Sequence, residues 1–414
     1  MDKFLIARNK KVSNSIPNHL APSILSNLPI KSLKRFECVR KSWTLLFQTP
    51  YFISLFHRRF FSNNHSYYDD TSILLYQAIN DNKPVLYSLS GERFENRAKL
   101  DWPNPLHEDY PKFEISGSSS INGIFCLISY FQPNIRVVLW NPATQEFKVV
   151  PTSPIEFESD MNLEINKHGF GYDCVRDDYK VIRRVLCFPK SDINVIMPED
   201  TTYDPFWEIY SLRSNSWSKI EFDFPVDFEE KGVFLDGVFP WWGLNEIIDD
   251  EDDEAYLLSF DLSIEVFTIT PILFGEDSFG LEHVWTNLMV LNGSIGLISN
   301  YSNVDTFHIS ILGELGVKES WFKLFIVQPL PCIKYSIGVG KKASIFFIKE
   351  DGKVVYFDLR TQVIEELNFT GNQLWDKPII YKESLLFNWR NKYVILLLCY
   401  ILPFLRFRHS LIIQ

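Results

Sequence analysis

The sequence predicts a multi-domain protein: a small all-α helical domain over residues 15–60, then an all-β, propeller-like body of about six repeated units over residues 71–389. Three observations lead there. Helical stripes punctuated by proline stop near residue 60, period-two runs take over from Thr71, and an aromatic-anchored hairpin signal then recurs along the chain. Composition agrees, since 414 residues that are 46% hydrophobic can bury a sizeable core and an aromatic share of 15% suits the flat faces of sheets. A two-sheet sandwich also uses many short strands and is the alternative for the body.

The head divides at its prolines. Leu20, Ile24, Leu25 and Leu28 form one helical stripe ended by Pro29; Leu33 and Phe36 form a second, and Trp43, Leu46 and Phe47 a third before Pro50. Pro22 means that the first helix begins late or tolerates a proline in its opening turn. About forty-five residues of short helices bury little by themselves, so apolar side chains are left over for a partner to cover. The head is also basic. Residues 1–59 hold eleven Lys and Arg against Asp2 and Glu37, a net of +9, so with −11 for the whole chain the remainder carries −20. An acidic body repels a phosphate backbone, which excludes nucleic acid as the main partner, while the basic head suits an acidic protein.

These residues resemble an F-box of the kind found in large plant families. The likeness is carried by Ile16-Pro17, Leu20, Ile24-Leu25, Leu28-Pro29, Lys31-Ser32-Leu33, Arg35-Phe36, Cys38-Val39 and Lys41-Ser42-Trp43, followed by Pro50 and Phe52-Ile53. It implies docking on an acidic Skp-type adaptor and, through it, on a cullin–RING ubiquitin ligase. Ile16, Pro17, Leu20, Ile24, Leu25, Leu28, Pro29, Leu33, Val39 and Trp43 would supply the apolar contact. Lys31, Lys34, Arg35, Arg40 and Lys41 would supply charge complementarity that speeds encounter. Two positions depart from the pattern: Asn18-His19 replace an acidic pair, and Arg40 stands where cysteine is frequent.

In the body, "YSLSGERF" (87–94), "WNPATQEF" (140–147), "YSLRSNSW" (210–217), "FDLSIEVF" (260–267) and "FDLRTQVI" (357–364) align. Each places a strand end at Ser88, Asn141, Ser211, Asp261 or Asp358 and a large apolar residue six positions on, the spacing of a hairpin turn. A sixth copy runs from Leu312 to Trp321 with nine residues in place of six. The marker intervals are 53, 70, 50, 51 and 46 residues, close to one four-stranded blade each. The long third interval is expected to hold an inserted loop at 188–205. Asn-Gly or Asp-Gly turns at 122–123, 236–237 and 292–293 supply further hairpins. A ring needs its ends joined, so 71–76 is expected to complete the sheet containing 353–359.

The body is similar to the F-box-associated interaction domain of the same plant families, especially members like the S-locus F-box proteins. The matching stretches are "LWNPATQEFKVVP" (139–151), "HGFGYDCVRDDYKVIR" (168–183), "EIYSLRSNSWSKI" (208–220), "LSFDLSIEVF" (258–267), "ELGVKESWFKL" (314–324) and "YKESLL" (381–386). The resemblance implies capture of a protein target for ubiquitination. Pro240 stands where a histidine is frequent, and Ser310 where tryptophan is usual.

Motifs for bond-making chemistry are lacking. Asp173, Asp177 and Asp178 lack the alternating oxygens and closing glutamate of a calcium loop. "GFGYDC" puts Cys174 in the third glycine's place of a dinucleotide fingerprint, and "GVGKK" (338–342) lacks the phosphate-loop spacing. Eight dispersed histidines and six cysteines without paired spacing signal neither metal site nor disulfide framework, and the thiols are expected to be buried. No cofactor, metal or catalytic set is expected, and the chain reads as a non-catalytic receptor. A propeller hydrolase and a ligase-independent scaffold are the rivals.

Trp241 and Trp242 in "GVFPWWG" read as core residues, but neighbours on one strand point to opposite faces, so one of them could be exposed and both are candidates for substrate binding. "DDEDDE" (249–254) reads as a solvated loop adding to a field that favours a basic target. The N-terminus shows no signal-peptide core, so a cytoplasmic or nuclear home is expected. Residues 390–414 include the apolar run 393–405, broken by Pro403 and shorter than the roughly twenty residues that span a bilayer. That segment reads as a tail outside the family likeness, and no membrane partner is expected.

Overall fold

In the computed structural model the described residues are 20–26, 28, 32–33, 36, 39–47, 49, 51–52 and 55, then 71–77, 85–91, 94–103, 113–117, 119–129, 136–154, 161–189, 203–222, 227–228, 232–245, 254–272, 284–301, 306–327, 333–339, 344–359, 361–370 and 379–384. The chain divides into two compact units, Met1–Asn64 and His65–Gln414. In the first, short helices α1 (Ala21–Leu25) and α2 (Lys41–Phe47) are described. Pro22 sits in the opening turn of α1, where its missing N–H costs nothing.

The second unit is six four-stranded antiparallel sheets. The first sheet contains β1 (Thr71–Gln77), β2 (Val85–Ser90) and β3 (Asn96–Leu100); the second, β4 (Phe113–Ile115), β5 (Phe125–Ser129), β6 (Arg136–Asn141) and β7 (Glu146–Val149). The third holds β8 (Met161–Asp173), β9 (Asp178–Pro189), β10 (Tyr203–Ser211) and β11 (Ser216–Ile220). The fourth holds β12 (Asp227–Phe228), β13 (Val238–Asn245), β14 (Glu254–Asp261) and β15 (Val266–Ile272). The fifth is β16 (Val284–Leu291), β17 (Ser294–Tyr301), β18 (Phe307–Leu312) and β19 (Trp321–Val327); the sixth is β20 (Ile333–Val339), β21 (Ser344–Lys349), β22 (Lys353–Asp358) and β23 (Val363–Thr370). A last strand, β24 (Ile379–Lys382), pairs with β1 and completes the first sheet.

The repeated hairpin has one backbone design. Strands end at Asn141, Ser211, Asp261 and Asp358, and the residue four positions on takes a positive φ: Gln145 at 57°, Asn215 at 54°, Glu265 at 58° and Gln362 at 58°. The strand-end side chain accepts from the turn. Asn141 Oδ1 takes Ala143 N–H at 2.9 Å, Asp261 Oδ1 takes Ser263 N–H at 2.7 Å, and Asp358 Oδ1 takes Thr361 N–H at 3.3 Å. The first copy departs from the expected register. β2 ends at Ser90, not Ser88, and Phe94 lies buried within the turn at φ 57° rather than opening β3. Gly91, at φ 98°, allows that longer turn. In the fifth sheet a 3-10 turn, Lys318–Ser320, fills the widened gap before Trp321. Asn122-Gly123, Asp236-Gly237 and Asn292-Gly293 all have two consecutive positive φ values, the mirror-image turn that matches strand twist.

Each sheet packs on the next. Phe125 and Trp140 meet Leu74 and Tyr381 between the first and second sheets; Leu139 and Cys126 meet Phe170 and Tyr210 between the second and third. Trp207 lies 5.3 Å from Trp241 between the third and fourth. Trp321 Nε1 donates to Pro271 O at 3.0 Å between the fourth and fifth, and Phe307 lies tilted 5.0 Å from Phe347 between the fifth and sixth. Phe94 and Phe346, 5.3 Å apart, bring the sixth back to the first.

The join differs from the expectation. Residues 71–76 do not complete the sheet containing 353–359; instead β24 supplies the missing strand to β1, with Thr71 opposite Lys382 and Leu74 opposite Ile379. β1 would otherwise present an open edge. β24 also reaches the second sheet, through a Ser119–Ile380 bridge and a 2.9 Å bond from Asn141 Nδ2 to Ser384 O. The inserted loop expected at 188–205 falls mostly outside the described residues, although β8 and β9, at 13 and 12 residues, are themselves long. The tail 390–414 lies outside them too.

Candidate functional site: a helical head and a clamped turn cluster

In α1 the 3.6-residue period sorts the apolar residues into two neighbouring faces. Ala21 and Leu25, four apart, are buried; Leu20 and Ile24, also four apart, remain 45% and 44% exposed. Leu25 and Leu33, expected on the docking face, are thus corrected to core positions. Leu28 and Trp43 are half-buried, and Trp43 meets the edge of Phe36 at 5.5 Å. Phe47 and Phe52, both buried, pack at 4.8 Å, and Thr49 links them by accepting from Phe52 N–H and donating to Leu46 O.

Val39 is 66% exposed, and Arg40 and Lys41 beside it are exposed. The described head therefore presents Leu20, Ile24 and Val39 together with two cations. Leu45 and Tyr51 are exposed as well, and the sequence reading missed both. A signal was available for Leu45, because the three-residue apolar run Leu45-Leu46-Phe47 cannot all face inward on a helix. Ile16, Pro17, Pro29, Lys31, Lys34 and Arg35 lie outside the described residues.

Trp241 and Trp242, the candidates on the body, are both buried. Their opposite orientation holds, but β13 is an interior strand whose sheet is covered on both faces. Trp241 packs on Trp207 and Phe239 and donates to His168 O at 3.2 Å. Neither is a recognition surface. The expectation of buried thiols holds for Cys126 and Cys187 and fails for Cys174, which is exposed in a turn.

That turn is part of a cluster the sequence did not show. Lys180, in β9, is buried and reaches three groups: Asp173 Oδ2 at 3.1 Å, Glu265 Oε1 at 2.7 Å and Leu262 O at 2.6 Å. Arg176 adds a 3.2 Å pair to Asp173 and donates to Ser263 O. Burial alone would raise the Asp173 carboxyl, but hydrogen bonds from the Arg176 backbone and from Lys180 hold it below its ordinary 3.8. The carboxylate expected to be free of a calcium loop is thus engaged by two cations. Its partner Glu265 lies 85 residues on from Lys180, out of reach of any local motif. The cluster ties the β8–β9 turn of the third sheet to the β14–β15 turn of the fourth. A second buried pair, Arg183 Nε with Glu208 Oε1 at 2.5 Å, receives Ser153 Oγ on Glu208 at 2.6 Å and lays the guanidinium 4.1 Å over Trp217. Among the described residues, no three His, Cys, Asp or Glu side chains are grouped to hold a metal ion.

A helical head with uncovered aliphatic side chains, set before a body of six repeated four-stranded sheets, defines a two-part protein with a small α-helical unit and an all-β repeat body. The family described as "F-box associated beta propeller domain" matches residues 75–385, and the chain belongs to it, as a plant F-box protein with an F-box-associated domain. It is 26% identical over 399 residues to "F-box protein CPR1" of Arabidopsis thaliana, covering 90% of this chain and 87% of that one. It is 24% identical over 362 residues to "F-box protein ETP2" of the same plant, covering 84% of each. Among solved structures, the one titled "Crystal structure of Nidogen/Laminin Complex" aligns with a TM-score of 0.42 and 11% identity over 76% of this chain and 99% of that one.

Proposed function

We propose that this protein is the substrate-recognition subunit of an SCF-type cullin–RING ubiquitin ligase. The head docks on a Skp-type adaptor. The six sheets act as the blades of a propeller that holds a protein target, and bound proximity lets the ligase machinery transfer ubiquitin without bond chemistry by this chain. The observation that carries the reading is the exposure of Leu20 and Ile24 along one side of α1, and of Val39, Arg40 and Lys41, on a chain whose body belongs to the F-box-associated family. Aliphatic area supplies affinity and the cations supply encounter rate with an acidic adaptor. Such a complex would work in the cytoplasm or nucleus.

The test is co-expression with a Skp-type adaptor and a cullin, followed by size-exclusion chromatography. A single co-eluting assembly supports the reading. A folded chain that elutes alone would make it a ligase-independent scaffold.

A further inference from the structure

Three hydroxyl residues of the chain stand directly before a proline: Thr49, Ser153 and Thr270. Thr270 is fully buried in β15 and accepts from Gly316 N–H at 2.7 Å, while Thr49 is engaged in the turn after α2 by Leu46 O and Phe52 N–H. Ser153 differs. It lies in "PTSP" (151–154), the irregular stretch that leaves the second sheet after β7, and Pro151, Thr152 and Pro154 around it are all exposed. Prolines on either side restrict the backbone, and Pro154 disfavours helical geometry at Ser153 itself. The stretch therefore presents a hydroxyl on an extended segment, with no N–H at the next position.

The same hydroxyl is a latch. Ser153 Oγ donates to Glu208 Oε2 at 2.6 Å, and Glu208, 1% exposed, holds buried Arg183 through its other oxygen at 2.5 Å. Two residues earlier, Pro151 O accepts from Trp217 Nε1 at 2.8 Å. Glu208 is in β10 and Trp217 in β11, so both bonds fasten this strap to the third sheet, and the Arg183 guanidinium lies 4.1 Å over the same Trp217 ring. The arrangement needs a donor at position 153, because a carboxylate can only accept.

We propose that Ser153 accepts a phosphoryl group from a proline-directed protein kinase, and that the modification releases the 151–154 strap from the third sheet. Ser153 Oγ forms a bond to the γ-phosphorus of a nucleoside triphosphate, the bond from that phosphorus to its bridging oxygen breaks, the nucleoside diphosphate leaves, and the hydroxyl proton passes to the kinase's catalytic base. The product sets a group of about −1.5 to −2 charge, with acceptor oxygens in place of the donor, against a buried carboxylate that repels it. Arg183 stays with Glu208, which would otherwise be a buried charge without a partner. The phosphate then turns out to solvent and takes the strap with it. This site rests on contacts within the body and is independent of how the head docks.

The experiment treats the folded full chain with a proline-directed serine/threonine kinase and ATP and locates the phosphate by mass spectrometry, in wild type, Ser153→Ala, Pro154→Ala and Thr152→Ala. Phosphate is expected on Ser153. Ser153→Ala should lose it and Thr152→Ala should label as wild type. Pro154→Ala should slow incorporation at least about tenfold, because an apolar kinase pocket loses the ring it holds. The fully phosphorylated chain should melt at a lower temperature than the untreated one and show faster amide exchange at Thr152 and Ser153. Ser153→Ala, which loses the hydrogen bond without adding charge, should fall between the two. No phosphate on Ser153, labelling of Ser153→Ala or Pro154→Ala equal to wild type, or full incorporation with melting and exchange unchanged would each overturn the proposal.

Discussion

At the residue scale, buried Lys180 is the most consequential charge in the body. Replacing it by Met keeps the volume but strands Asp173, so the loss should reach about 3 kcal/mol in urea unfolding at neutral pH. The pH dependence has a definite sign. The folded-state value of Asp173 lies below its ordinary 3.8, so its stabilisation is fully present above that value and is lost as the pH falls through the lower, folded one. Asp173→Asn should therefore be less stable than wild type at pH 7, with the gap closing on acidification below pH 3.8; a gap that persists unchanged in acid would contradict the pairing. The sequence showed the acid-rich turn but not its role, because Glu265 and Leu262 enter from another sheet.

At the element scale, two glycines explain how neighbouring sheets come so close. In β8, Gly169 and Gly171 share a face, and a Cβ on Gly171 would lie 2.2 Å from Leu262 Cδ1 and 2.7 Å from a ring carbon of Phe234. Gly171→Val should cost about 1–3 kcal/mol by overpacking, read as a lower melting temperature. The opposite sign is expected at Gln362, exposed at φ 58°: Gln362→Gly should add up to about 1 kcal/mol by relieving a left-handed backbone.

The hairpin repeat was legible because its turn chemistry is local; an Asn or Asp at the strand end and Asn-Gly or Asp-Gly pairs specify backbone conformation within five residues. The first copy misled because Phe94 imitates the aromatic that opens the next strand elsewhere, while its turn is longer. Trp241 and Trp242 are core, as the sequence reading has it, and only their candidate recognition role fails, for a different reason. Opposite-facing tryptophans suggest exposure only if one sheet face is wet, and a sheet covered on both faces buries either parity.

At the scale of the whole molecule, stability depends on a short strand. β24 contributes four residues, yet it pairs β1 and bridges to the second sheet, so Ile380→Asp should open the first sheet and leave the edge of β1 unpaired. Light scattering should show aggregation well below the wild-type transition; an unchanged cooperative transition would mean that the ring does not depend on this latch. The sequence announced that the ends must join but not where, since the four residues "IIYK" carry no pattern distinguishing them from any short strand. The helical head was legible in outline from its stripes and prolines. Which leucine faced outward depended on helix phase, and this moved Leu25 inward and left Leu20 and Ile24 outside.

If this outward face, and not the helical fold of the head as such, binds the adaptor, charges placed on it weaken binding without unfolding the head. Calorimetric titration of a Skp-type adaptor into the full chain, comparing wild type with Leu20→Asp plus Ile24→Asp, tests it most directly. At least about a tenfold loss of affinity is expected, with far-ultraviolet circular dichroism and melting unchanged; equal affinity for the two forms would rule out docking through this face.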